Sequence, residues 1–476
     1  MNQSIKAKAA LAGVMLLTAT QLLRGQAQAT IPAAEQQARA WLAAFNSGDR
    51  ATLLDYLKTN YPSFAEHVDD ELGFRAMTGG FQLMKMEEST PSRLAALVKE
   101  KDSDQFGRLV VEVEPALPHR ISKFELRAIA TPAEFATPRM SQPDVIAAFQ
   151  KDLEHDSASD RFSGAALIAK DGKVVFEQAY GMADREKKIL NQVSTQFRIG
   201  SMNKMFTAVS IMQLVQLGKI QLTDPFGKYL TDYANKDMAS KVTIEQLLSH
   251  TGGTGDIFGP EFEAHRLELK TLQDYVRLYE KRPLKFEPGS RWEYSNYGFL
   301  LLGAVIEKVT GESYYDYVRE HVFEPAGMTL TGSLPETDPV PGRAVGYMKE
   351  GTGPWKPNTD TLPSRGTSAG GGYSTIEDLY HFAVALQNHK LLDAEHTQML
   401  LTPHANRPGG EEYGYGFGLS KENGMACFGH GGGAPGMNGD LKICSQAGYV
   451  IAVLANLDPP AAQRPANFVA ARVPLK

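Results

Sequence analysis

Residues 205–217 of this chain are apolar on most faces when wound as a helix. A helix of that kind has no face for water and belongs in the middle of a domain, enclosed by other elements. Gly218 supplies a stop. Immediately upstream stands Phe197-Arg198-Ile199-Gly200-Ser201-Met202-Asn203-Lys204. Ser201 therefore falls at the helix N-terminus, where free backbone N–H groups and the helix dipole favour negative charge. Lys204, at about 100° and about 1.5 Å per residue, lies on roughly the same face. Lysine is rarely buried without a partner, so one at the mouth of a core helix implies chemistry.

A serine hydroxyl is a poor nucleophile until a neighbour takes its proton. Lysine can do so only if its pKa drops from about 10.4 toward roughly 7–8. That shift costs about 4 kcal/mol, which desolvation plus a cation or polar network could supply. S-x-x-K spacing alone arises about once by chance in a chain of this length; its position before an apolar helix carries more weight. Tyr294-Ser295-Asn296 precedes a second apolar helix, Gly298–Val309. Tyr294 can share a proton with Lys204, and Asn296 can orient the lysine or bind a substrate carbonyl. A rival Y-x-N, Tyr233-Ala234-Asn235, lies in a polar stretch without flanking apolar structure. His430-Gly431-Gly432-Gly433 follows a strand-like segment, and such a glycine-rich edge admits a substrate close to the backbone. The N–H groups of Gly433 and Ser201 could form an oxyanion hole, with His430 and Gly432 lining it. A rival H-x-G at His250-Thr251-Gly252 ends the helix Ile244–Leu248, which Thr243 and Gln246 start as a capping box, and so reads as a helix stop and a loop bordering the pocket.

Along the chain, residues 30–130 read as a separate small α+β unit. A helix at Ala33–Phe45 leads to strands near 80–88, 92–100, 106–114 and 120–129, with turn clusters between them. In order of elements it resembles the NTF2-like cone fold, and no convergent catalytic set stands in it. Pro132, Pro138 and Pro143 mark a linker over 131–145. From 146 to 476 a helix, a hairpin turning at Asp171-Gly172, a long helical stretch and three late strands imply an α/β (α+β) unit. Its mixed, largely antiparallel sheet would be flanked by helices and carry a large helical insertion.

The three motifs in this order resemble the serine β-lactamase and penicillin-binding-protein-like family, nearest its class C-like branch of esterases, D-amino-acid peptidases and β-lactamases. Further landmarks are Leu247-Leu248-Ser249-His250-Thr251-Gly252-Gly253, Phe286-Glu287-Pro288-Gly289-Ser290, Phe323-Glu324-Pro325-Ala326-Gly327-Met328 and Gly372-Tyr373-Ser374-Thr375-Ile376-Glu377-Asp378-Leu379. The resemblance covers about 145–460. It implies a β-lactamase/transpeptidase-like fold with Ser201 acylated, Lys204 and Tyr294 sharing acid–base work, and His430 to Gly433 lining the acyl site. Members that bind β-lactams often carry lysine, then threonine or serine, then glycine at the third motif. Here His430 and Gly431 offer neither fixed cation nor hydroxyl, which weakens carboxylate recognition and favours neutral esters or amides. A β-lactamase, or a penicillin-binding sensor that is acylated without turnover, is the alternative. Gly366-Thr367-Ser368-Ala369-Gly370 matches the G-x-S-x-G nucleophile elbow but lacks the preceding strand, and the next helix reads as capped by Ser374 and Glu377. No His/Glu or Cys/His spacing suits zinc, and the mechanism calls for no metal or cofactor.

Residues 1–29 read as a signal peptide: Lys6 and Lys8, then an apolar run, then Ala27-Gln28-Ala29 at the cleavage site. The run is broken by Thr18, Thr20, Gln21 and Arg24, short of the ~20 residues of a span. The mature protein would be periplasmic or secreted, with no stable membrane span. Loss of Lys6, Lys8 and Arg24 takes the formal charge from −6 to −9. Such an acidic surface argues against nucleic acid and leaves a small molecule or peptide as the partner. Cys427 and Cys444 fall opposite each other if their segments form a symmetric hairpin; a disulfide and two buried thiols both fit.

Overall fold

The computed structural model describes residues 31–408 and 410–475, so the signal peptide expected over residues 1–29 lies outside the described residues. The first described elements are three helices. Helix α1 (Ala33–Ser47) buries Ala34, Ala38, Trp41, Leu42 and Phe45 along one face. Helix α2 (Arg50–Asn60) starts at Asp49, whose side chain accepts the Thr52 N–H, and α3 (Val68–Thr78) follows. Strands β1 (Phe81–Ser89), β2 (Arg93–Glu100), β3 (Phe106–Val113) and β4 (Ile121–Ile129) form an antiparallel sheet in chain order. Trp41, Phe45, Leu57, Val98 and Leu109 centre a core of its own.

Helix α4 (Gln142–Ala158) leads into β5 (Gly164–Lys170) and β6 (Lys173–Tyr180), a hairpin turning at Asp171-Gly172. The chain then leaves for a long insertion and returns as β9 (Ala405–Asn406), β10 (Glu412–Tyr413), β11 (Gly418–Glu422), β12 (Met425–Ala434), β13 (Met437–Cys444) and β14 (Tyr449–Ala455). These complete an eight-stranded sheet in the order β9-β10-β11-β12-β13-β14-β5-β6, antiparallel at every pairing. The sheet with a large helical insertion that the residue patterns predict is what forms. Strands β13 and β14 are buried along their whole length; that burial explains the near-continuous apolar composition of β14, while β13 also buries Asn438, Asp440 and Lys442. One sheet face packs on the insertion, and the other on α4 and the C-terminal helix Gln463–Arg472.

Within the insertion, β7 (Phe197–Gly200) delivers the chain to α5 (Asn203–Gln216), and α6 (Asn296–Thr310) packs beside α5. Strand β8 (Gly372–Ser374) pairs with β7 and precedes α7 (Ile376–Gln387). The cap of α7 differs from expectation: Thr375 accepts the Asp378 N–H, while Ser374 ends β8 with its hydroxyl 2.7 Å from Thr331. Pairing of β8 with β7 holds Ser374 in the sheet and leaves the cap to the next residue. In the β12–β13 register Phe428 faces Ile443, so Cys427 and Cys444 meet, and they are bonded as a disulfide.

The N-terminal sheet rests on the C-terminal helix through Arg464–Glu100 at 2.6 Å and Arg472–Asp104 at 2.5 Å, and on the hairpin side through Arg161–Asp102 at 3.0 Å. A cleft of about 1720 Å³ runs along this junction, and none of Ser201, Lys204, Tyr294 or His430 lines it. No helix among the described residues is long and apolar enough to cross a membrane.

Candidate active site

Helix α5 is buried over Asn203–Met212, with Lys204 at 0% exposure. Ser201 sits in the turn between β7 and α5, its carbonyl accepting the Lys204 N–H at 3.0 Å. Lys204 Nζ lies 2.7 Å from Asn296 Oδ1, 2.5 Å from the Ala369 carbonyl oxygen and 3.3 Å from Ser201 Oγ. The rings of Tyr294 and Phe299 stand 4.7 and 5.5 Å from the same nitrogen. Burial lowers the Lys204 pKa to about 7, against an opposing pull from the Asp256 carboxylate. A neutral amine has two N–H groups and one lone pair. The two strict acceptors take the N–H groups, and the lone pair is left facing the Ser201 hydroxyl.

Ser295, rather than Tyr294 or Asn296, caps α6: its side chain accepts the Gly298 N–H. That leaves Tyr294 and Asn296 free to face α5. Burial pushes the Tyr294 phenol well above its ordinary pKa, partly offset by a hydrogen bond with Ser201. His250, which reads from sequence as a helix stop and loop bordering the pocket, lies with its ring 4.3 Å from that of Tyr294, tilted by 36°. Its Nδ1 accepts the Ser295 N–H at 3.1 Å, and its Nε2 lies 3.2 Å from Tyr413 Oη. The same Tyr413 oxygen is 3.0 Å from His430 Nε2, and His430 Nδ1 is 2.5 Å from the Gly431 carbonyl oxygen. Hydrogen-bond direction follows: His250 Nε2–H donates to Tyr413, Tyr413 O–H donates to His430 Nε2, and His430 Nδ1–H donates to Gly431. Burial, with Lys204 nearby, pushes His430 down to about 3 and His250 well below the usual histidine range, so both stay neutral.

Strand β12 crosses directly behind Ser201. A Cβ on Gly432 would stand 1.9 Å from the Ile199 carbonyl oxygen and 3.1 Å from the Ser201 nitrogen, and one on Gly200 would stand 2.8 Å from the Gly433 nitrogen. Only glycine permits this approach, which brings the Gly433 backbone beside Ser201. Ser201, Lys204, Tyr294, Asn296, His430, Gly432 and Gly433 are thus drawn into one place. Of the rivals, His250 borders this place, but the rival Y-x-N does not: Tyr233 is a core residue whose hydroxyl meets that of Tyr297 at 3.0 Å, and Asn235 caps the helix Lys236–Lys241. Ser368 is fully buried with an unpartnered Oγ. Sequence reasoning missed Asp256, the Ala369 carbonyl and Tyr413. Of these, only Asp256 carried a signal, as a lone acid after the glycines of the His250 loop.

The sequence profile of a family described as Beta-lactamase matches residues 146–475. The chain is similar to PbpX of Bacillus subtilis, named as a penicillin-binding protein, at 33% identity over 296 residues that cover 62% of this chain and 70% of that one. Among solved structures, the penicillin binding protein from Bacillus halodurans superposes with a TM-score of 0.60 at 34% identity, covering 67% of this chain and 98% of the other. The D-stereospecific amidohydrolase from Streptomyces sp. superposes with a TM-score of 0.58 at 30% identity, covering 67% and 97% respectively.

Proposed function

The chain belongs to the Beta-lactamase family, and from that we propose that it is an exported serine hydrolase forming an acyl-enzyme at Ser201 with a neutral ester or amide. The observation that carries the reading is the buried Lys204 amine, 3.3 Å from Ser201 Oγ and tuned to about 7. Ser201 Oγ attacks the substrate carbonyl as its proton passes to Lys204. The N–H groups of Ser201 and Gly433 receive the oxyanion. Tyr294, protonated at neutral pH, hands its proton to the leaving group and recovers one from Lys204. Water then releases the acyl group.

Neutral His430 and Gly431, which has no hydroxyl, support substrates without a carboxylate at that position. The likeness to a D-stereospecific amidohydrolase supports D-amino-acid amides or peptides as the amide class. The names of the penicillin-binding relatives favour a second reading, an acylated sensor without turnover. The Cys427–Cys444 disulfide and the leader support a periplasmic or secreted location. The region up to residue 130 acts in this reading as an NTF2-like packing or substrate-guiding module.

A panel of a short acyl p-nitrophenyl ester, a D-amino-acid amide, a D-Ala-D-Ala peptide and a chromogenic cephalosporin tests the assignment, alongside labelling by a fluorophosphonate. Sustained turnover of ester or amide is expected, with labelling abolished in Ser201→Ala and intact in Ser368→Ala. The opposite labelling pattern overturns it, and a burst without turnover selects the sensor.

A further inference from the structure

Asp256 lies in the loop between His250 and the helix Pro260–His265. Its Oδ1 accepts the Ile257 N–H at 2.8 Å and the backbone N–H of Asn296 at 3.1 Å. The same carboxylate takes the Asn296 side-chain Nδ2–H, at 2.9 Å to Oδ1 and 3.3 Å to Oδ2. An amide side chain has an accepting end and a donating end of nearly equal shape, whereas a carboxylate only accepts. Asp256 therefore admits Nδ2 alone and turns Asn296 Oδ1 toward Lys204, which it meets at 2.7 Å. With the amide reversed, Nδ2 would donate into the lysine lone pair, the group that must receive the Ser201 proton.

We propose that Asp256 is a positioning residue for acylation: it locks the Asn296 amide in the orientation that leaves the Lys204 lone pair aimed at Ser201. The proposal rests on the serine-hydrolase reading. The groups around Lys204 make its charge separable from its geometry. His250, His430 and Tyr294 face the lysine site as neutral groups, and the Arg407 guanidinium acts on the two histidines and Tyr294 from farther out. Asp256 raises the Lys204 pKa, so removing its charge lowers it further. A residue that merely capped α6 would leave the Asn296 amide orientation, and with it the labelling plateau, unchanged.

The test is the second-order rate of fluorophosphonate labelling at Ser201, followed from pH 5 to 9 in the full chain, for wild type, Asp256→Asn and Asp256→Glu. Asp256→Asn keeps Oδ1 as the acceptor of both backbone N–H groups but puts an NH2 in place of Oδ2, which can donate to a reversed Asn296 Oδ1, so the amide orientation is selected only weakly. Its plateau should fall by about 10–100-fold, and its acidic limb should move to lower pH. Asp256→Glu, an acceptor-only carboxylate, should keep the wild-type limb and recover part of the plateau. A wild-type plateau and limb in Asp256→Asn, or no recovery in Asp256→Glu, overturns the proposal. If Asp256→Asn does not fold, Asp256→Ser carries the same readouts. Absence of labelling at Ser201 in the wild type would instead sink the hydrolase reading.

Discussion

Replacing Lys204 by methionine should change how stability depends on pH, by an amount the structure sets. The lysine pKa is lowered from 10.5 to about 7 by burial. The folded pKa lies below the unfolded one, so between the two the unfolded chain holds the extra proton. Stability is therefore lowest below pH 7, rises across the window and levels off above 10.5. Integrated from pH 7 to 9, the difference in bound protons amounts to about 2 kcal/mol. Methionine also strands Asn296 Oδ1 and the Ala369 carbonyl, at about 1–3 kcal/mol each. Those losses do not vary with pH, so the slope isolates the ionisation. His250 and His430 remain neutral and Tyr294 protonated across the window, so none of them masks it. Urea denaturation of wild type and Lys204→Met at pH 7, 8 and 9 measures the effect. Wild type should gain about 2 kcal/mol on the variant between the end points, and the variant's esterase rate should fall by about 10²–10⁴. Parallel stability curves would mean that Lys204 keeps an ordinary pKa and cannot serve as the base.

Gly432→Ala places a methyl 1.9 Å from the Ile199 carbonyl oxygen, a backbone atom that cannot swing aside; β12 must withdraw from β7, and labelling at Ser201 should drop by about 100-fold while cooperative unfolding persists. In the N-terminal unit, burial, then the neighbouring Asp70, pushes Glu71 up to about 7, and its Oε2 has no partner. A raised acid retains its proton in the folded state, so stability falls as pH rises from about 4.5 to 7 and stays low above. Glu71→Gln should therefore stabilise the protein by up to about 3 kcal/mol at pH 8 and by little at pH 4, read from denaturation at the two values.

What the sequence makes legible here follows from what kind of atom does the work. The apolar run of α5 declares a central helix, and the hydroxyl, amine, phenol and imidazole of Ser201, Lys204, Tyr294 and His430 declare themselves by residue type. A carbonyl does not. The glycines of the 366–370 segment imitate a nucleophile elbow, yet they let a loop press its carbonyls on α5. Thr367 O takes Asn203 Nδ2 at 3.2 Å, Ser368 O takes Thr207 Oγ1 at 2.7 Å and Ala369 O takes Lys204 Nζ at 2.5 Å. The missing strand ahead of the segment already argues against an elbow, but only the structure shows that the loop presents carbonyls while the Ser368 hydroxyl is buried. The cap of α7 fails for a related reason, since Ser374 with Glu377 and Thr375 with Asp378 both satisfy the spacing and only strand pairing chooses.

The choice of acceptors around Lys204 has a physical logic of its own. A base lysine needs its two N–H groups held, yet a carboxylate bonded directly to it would favour the charged form and keep it protonated. Neutral acceptors, a backbone carbonyl and an amide, hold the nitrogen without that penalty. Placing Asp256 behind Asn296 transmits direction through the amide while the ion stays one residue away, where its attraction is weaker. Burial then dominates, as the net lowering of the Lys204 pKa to about 7 requires.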